Sequence, residues 1–185
     1  MIRSITFFIA LILLISCKTP SPTTTANDRN YNYDIDEKLK ELQIDLPEPS
    51  APVANYVNAT RAGNLVFLAG KGPKKADGSY ISGKVPTEVS TEQAYEAARL
   101  TAIQLLGALK AEIGDLNKVV QVVEVFGMVN ATPDYTDHPK VINGCSDLLV
   151  DVFGDRGKHA RAAVGMGSLP SNISCEIRMT VLVQD

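Results

Sequence analysis

Ser90-Thr91-Glu92-Gln93 has the form of a capping box, and Ala94, Ala97, Ala98, Ala102, Leu105, Leu106, Leu109 and Ile113 follow it at i, i+3, i+4 spacing, up to Gly114. A side-chain oxygen for a first-turn N–H, a one-sided apolar stripe and a glycine at the exit together predict one long helix. Such a stripe must be buried against another layer. Val119 to Val129 is largely β-branched and apolar, the composition of a strand buried on both faces. A second helix is predicted from about Pro139, presenting Ile142, Cys145, Leu148, Leu149 and Val152 before Gly154 ends it. The two predicted helices pack their apolar stripes on one face of the strands. The other face is left for a further copy of the chain to cover.

The amino terminus is of another kind. After Arg3 an apolar run from Ile5 to Ile15 is too short to span a bilayer but suits the core of a signal peptide, and Leu14-Ile15-Ser16-Cys17 resembles a bacterial lipobox. The expectation is a lipoprotein signal peptide over 1–16, with lipidation of Cys17 holding the protein to a membrane of the cell envelope, facing the periplasm or the exterior. Residues 17–34 are rich in Pro, Thr, Ser and Asn and cannot bury enough surface to offset their ordering entropy, so they read as a flexible tether. Asp34 to Gln43 places Ile35, Leu39 and Leu42 at near-helical spacing, and Pro47, Pro49 and Pro52 stop that helix. Residues 35–185 then fit a single domain.

Near the carboxyl end, strand parity places side chains on faces. Cys175, Ile177, Met179, Val181 and Val183 point one way; Glu176, Arg178 and Thr180 point the other. In the preceding strand Arg161 shares its parity with Ala163, Gly165 and Gly167, a bare surface beside a guanidinium. Two readings stay open from residue chemistry: a pocket, or an Arg161–Glu176 ion pair on a solvated sheet face.

Charge and composition narrow the partners. The formal charge is −3 at pH 7, and removing residues 1–16 takes away a cation, Arg3. There is no Trp, and the one cluster of cations is Lys71, Lys74 and Lys75, which argues against a nucleic-acid surface. His138 and His159 lack metal-ligand spacing, and no Ser-His-Asp or phosphate-loop pattern is visible; neither a metal nor a cofactor is expected. Cys145 and Cys175 fall on inward positions and read as buried thiols, with a disulfide between them left open. His159 shares the parity of Arg161 and either lines a cleft or ends a strand.

Five blocks carry a resemblance that runs from about Leu46 to the end. They are Pro52 to Tyr56, Gly63 to Gly70, the long helix, Val119 to Asn130, and Ala160-Arg161 through Leu169-Pro170 to Cys175-Glu176-Ile177. In their order and in the arginine-to-glutamate spacing the chain resembles the RidA/YjgF family of reactive enamine/imine deaminases. The resemblance implies a chorismate-mutase-like α+β subunit, a mixed β-sheet with two helices packed on one face, together with a homotrimer and a ligand cleft between subunits. It also implies that Arg161 grips a substrate carboxylate, that Glu176 positions or activates water, that Tyr56 and the Gly70 backbone edge the pocket, and that Asn130 sits at its rim. The function so implied is hydrolysis of 2-imino or enamine acids to 2-keto acids and ammonia. The alternatives are a lipoprotein of the same fold that binds a small carboxylate without turnover, and a structural trimer with a vestigial cleft.

Two departures bear on that choice. Ala69-Gly70-Lys71 stands where many deaminases of the family have Ser-Gly-Gln, and Arg161-Ala162-Ala163 where they have Arg-Ser-Cys. Pocket hydroxyl and thiol groups are absent, and Lys71 adds a cation that would favour a more anionic ligand.

Overall fold

The computed structural model describes residues 32–52 and 54–184. The signal peptide, Cys17 and most of the tether lie outside the described residues. The described chain opens with helix α1 (Ile35–Glu41), whose Asp34 side chain accepts the Glu37 N–H as an N-cap. Ile35 and Leu39 are buried, the Ile35 N–H donates to Asn117 Oδ1 and the Tyr33 hydroxyl donates to the Val152 carbonyl. The short amphipathic helix is therefore part of the domain, fastened at its first turn by polar groups far away in sequence.

Strands β1 (Ala59–Ala62) and β2 (Leu65–Lys71) lead to α2 (Thr91–Ile113). The capping box forms as predicted, with Ser90 accepting the Gln93 N–H and Gln93 returning to the Ser90 N–H. At the other end Gly114, at φ +79°, returns its N–H to the Lys110 carbonyl, a conformation that glycine adopts without the steric cost of a Cβ. Then come β3 (Val119–Asn130), α3 (His138–Phe153), β4 (Ala160–Met166) and β5 (Cys175–Val183). The sheet runs β1-β2-β5-β3-β4, with β3 and β4 parallel and the remaining pairs antiparallel.

The core lies between the sheet and the two longer helices. Val66 and Leu68 of β2, Val125 and Val129 of β3, and Ile177, Met179 and Val181 of β5 are buried beneath Leu105, Leu106 and Leu109 of α2 and Ile142, Leu148 and Leu149 of α3. Small residues let these layers close. A Cβ on Gly144 of α3 would overlap the Tyr95 carbonyl of α2, and one on Gly127 of β3 would strike Ile142.

Within one chain β3 is buried on one face only. Its burial alternates, and Val123 is 38% exposed, as is Phe67 of β2 at 39%. Helices α2 and α3 pack on one side of the sheet and α1 packs against α3; no helix among the described residues packs on the other side. The apolar character of β3 is thus only half used within one chain.

Candidate functional site: an arginine locked at the parallel edge

In β4, Arg161 pairs in register with Val125, and Ala163 with Gly127. Paired residues point to the same face, so Arg161 faces the helices. Its Nη1 donates to Asn143 Oδ1 at 2.8 Å and to Ser146 Oγ at 3.0 Å, both on α3. The bare surface expected beside it is filled from α3: Ala163 packs against the core, and a Cβ on Gly165 would overlap the His138 imidazole. The guanidinium itself remains exposed at the sheet edge.

Ser146 also reaches His159, with 3.0 Å between its Oγ and Nε2, while His159 Nδ1 lies 2.6 Å from the Gly157 carbonyl. A carbonyl only accepts, so Nδ1 carries the proton and Nε2 is the acceptor. Ser146 then donates to His159 and accepts from Arg161. Burial pushes the His159 pKa down, partly opposed by its bond to Gly157 and helped by the nearby Arg161 charge, so the neutral ring is favoured.

Glu176 lies elsewhere. It pairs with Met128 on the sheet face turned away from the helices, and β3 stands between its strand and that of Arg161. The ion pair allowed by the sequence does not form, because the two groups occupy opposite faces of non-adjacent strands. The Glu176 carboxylate is held against Gly70, where a Cβ would overlap its Oε1. That close approach explains a glycine there, next to the register shift between Leu68 and Lys71. Half-burial raises the Glu176 pKa.

The remaining expected residues are scattered around these two. Tyr56 is 50% exposed on the segment before β1. Asn130, expected at a rim, is fully buried. Its Oδ1 accepts from Lys84 Nζ at 3.0 Å and its Nδ2 donates to Asn172 Oδ1 at 2.9 Å, so both ends of its amide serve to join two loops. Lys71 donates to Asn58 Oδ1, and burial lowers its pKa. Cys145 and Cys175 are free, fully buried thiols; burial raises both, Cys175 to about 12, and neither suits a thiolate nucleophile.

The sequence did not single out Asn143 and Ser146. Their i, i+3 spacing, set between the apolar positions of α3, showed one polar edge on that helix. What it lacked was the parallel β4 alongside.

A mixed five-stranded sheet carrying its helices on one face, with an arginine pinned at the parallel edge, defines a chorismate-mutase-like α+β protein. Residues 36–182 match the family model described as YjgF/chorismate_mutase-like, putative endoribonuclease, and the chain belongs to that family. It is 36% identical over 140 residues to Protein TCP17 of Trypanosoma cruzi, covering 75% of this chain and 88% of that one. Among solved structures it resembles Atu1372 of Agrobacterium tumefaciens, a protein of unknown function, with 41% identity, a TM-score of 0.76 and coverage of 81% of this chain and 92% of that one. It also resembles a putative endoribonuclease of Shewanella oneidensis, with 26% identity, a TM-score of 0.78 and coverage of 82% and 100%.

Proposed function

We propose that the protein is a deaminase of the RidA type, hydrolysing reactive 2-imino or enamine acids to 2-keto acids and ammonia in a cleft between the subunits of a homotrimer. The observation that carries this reading is the state of Arg161. Its Nη1 is tied to Asn143 and Ser146, which leaves the Nη2 and Nε edge of an exposed guanidinium to grip a carboxylate by two parallel hydrogen bonds. Glu176 cannot reach that edge within one chain, since it lies on the opposite sheet face; a glutamate brought by a neighbouring subunit would supply the water-positioning group.

A second reading, a non-catalytic binder of small carboxylates, is favoured by Ala69, Ala162 and Ala163 at positions where pocket hydroxyls and a thiol are expected. Under either reading we propose that Cys17 bears the lipid that holds the domain to an envelope membrane, and that nucleic acid is not the ligand, given the formal charge of −3.

The test supplies 2-imino acids from an amino-acid oxidase while semicarbazide competes for them. Native protein that lowers the semicarbazone yield, with Arg161→Ala inactive, supports the deaminase. No effect from the native protein rules out turnover of these imines and leaves the carboxylate binder.

A further inference from the structure

The hydrogen bonds at the α3–β4 seam do more than hold an arginine. Ser146 Oγ sits between Arg161 Nη1 and His159 Nε2, 3.0 Å from each, and the far nitrogen of the ring is fixed by the Gly157 carbonyl at 2.6 Å. A hydroxyl within reach of a base, with the base oriented by a third group, is the arrangement that activates an oxygen for proton transfer. It stands beside the group that would grip the substrate.

We infer that Ser146 and His159 form the proton relay for the ligand clamped by Arg161, a role resting on the deaminase reading above. A guanidinium does not give up protons near neutrality, so a second group must carry them; a glutamate brought by a neighbouring subunit would hold the water, and the relay would carry its protons. Glu176 of the same chain is screened from the clamp by the sheet.

The step balances without a further reactant. Water attacks the C=N carbon of the protonated imine; as its oxygen bonds to carbon, the π pair moves onto nitrogen. One water proton passes to Ser146 Oγ while the Ser146 proton passes to His159 Nε2. The imidazolium then returns a proton by the same route to the amino nitrogen of the carbinolamine. The C–N bond breaks with its electron pair on nitrogen, ammonia leaves, and the hydroxyl proton leaves with it as ammonium, giving the keto acid. A neutral ring is required at the start, and burial favours that form.

The test compares native protein with His159→Gln and His159→Ala, each checked for a native thermal transition, using two readouts: imine hydrolysis and binding of pyruvate as a carboxylate probe. The expected result is a fall in kcat of about 100-fold with pyruvate binding retained, and partial recovery of His159→Ala by added imidazole. Ser146→Ala should show the same fall in kcat, without recovery by imidazole. Native kcat in the His159 variants overturns the relay while leaving the deaminase standing. A loss confined to pyruvate binding, with kcat at saturation unchanged, also overturns it and reduces His159 to holding Arg161 in place. If native protein binds pyruvate through Arg161 but hydrolyses no imine, the deaminase reading fails and the relay fails with it.

Discussion

The two faces of the sheet treat their charged groups differently. On the helix side Arg161 is held by two α3 side chains, one of which is braced in turn by His159 and a backbone carbonyl. On the open side the Glu176 carboxyl rests against a glycine, half-buried, its pKa raised by desolvation. A polar group packed against its own chain acquires its geometry on folding. One on a face that its own chain leaves uncovered keeps part of its surroundings open to a neighbour. Elsewhere in the sheet Phe67 and Val123 are exposed, and Phe126 receives the Arg178 guanidinium 5.0 Å from its ring centroid.

The sharpest break of this contrast is Arg161→Ala. Loss of the clamp should lower kcat/KM for 2-imino acids on the order of 100- to 1,000-fold, with an unchanged fold by circular dichroism. Glycine-to-alanine changes on the two faces should diverge next. Gly144→Ala forces a methyl into the Tyr95 carbonyl and should cost about 1–3 kcal/mol in urea unfolding. Gly70→Ala meets the end of a flexible side chain, so it should leave stability nearly intact while reducing turnover by displacing the Glu176 carboxyl. A charge on the open face, Val123→Lys, should preserve folding but reduce the mass measured by light scattering if that face joins subunits.

The smallest effect concerns Glu176→Gln. A carboxyl whose folded pKa is raised is favoured in its protonated form, so its contribution to stability is fully present below its unfolded pKa and is lost as pH rises through the folded value. The Gln variant should therefore gain on native protein as pH rises through the carboxylate range, and the two should converge in acid. His159 gives the opposite sign. Its folded pKa is lowered, so the unfolded chain takes up the proton first and native stability falls on acidification below the ordinary histidine range. His159→Gln should flatten that slope in denaturant titrations at successive pH values.

Much of this was legible in the residues. The capping box at Ser90, the glycine at 114 and the α3 stripe ending at Gly154 are local signals, and each element formed within a residue or two of its expected bounds. The parity of β5 also held, with Cys175, Ile177 and Met179 buried. Strand order was another matter. The entry of β3 between β4 and β5 depends on contacts distant in sequence, and it separates Arg161 from Glu176. The same long-range placement brought Ser146 to His159 and sent Asn130 into the interior to join Lys84 and Asn172. Pattern along a chain reports which way a side chain points, but not which element will be there to meet it.

Strand β4 ends the sheet, and its outer row of backbone N–H and C=O groups has no strand partner among the described residues. Open edges invite another backbone, and this one bears Arg161. Under the proposed function, recruitment of a neighbour and construction of the ligand site would be a single event, and specific activity would read out protein concentration: dilution would switch the molecule off before it unfolded.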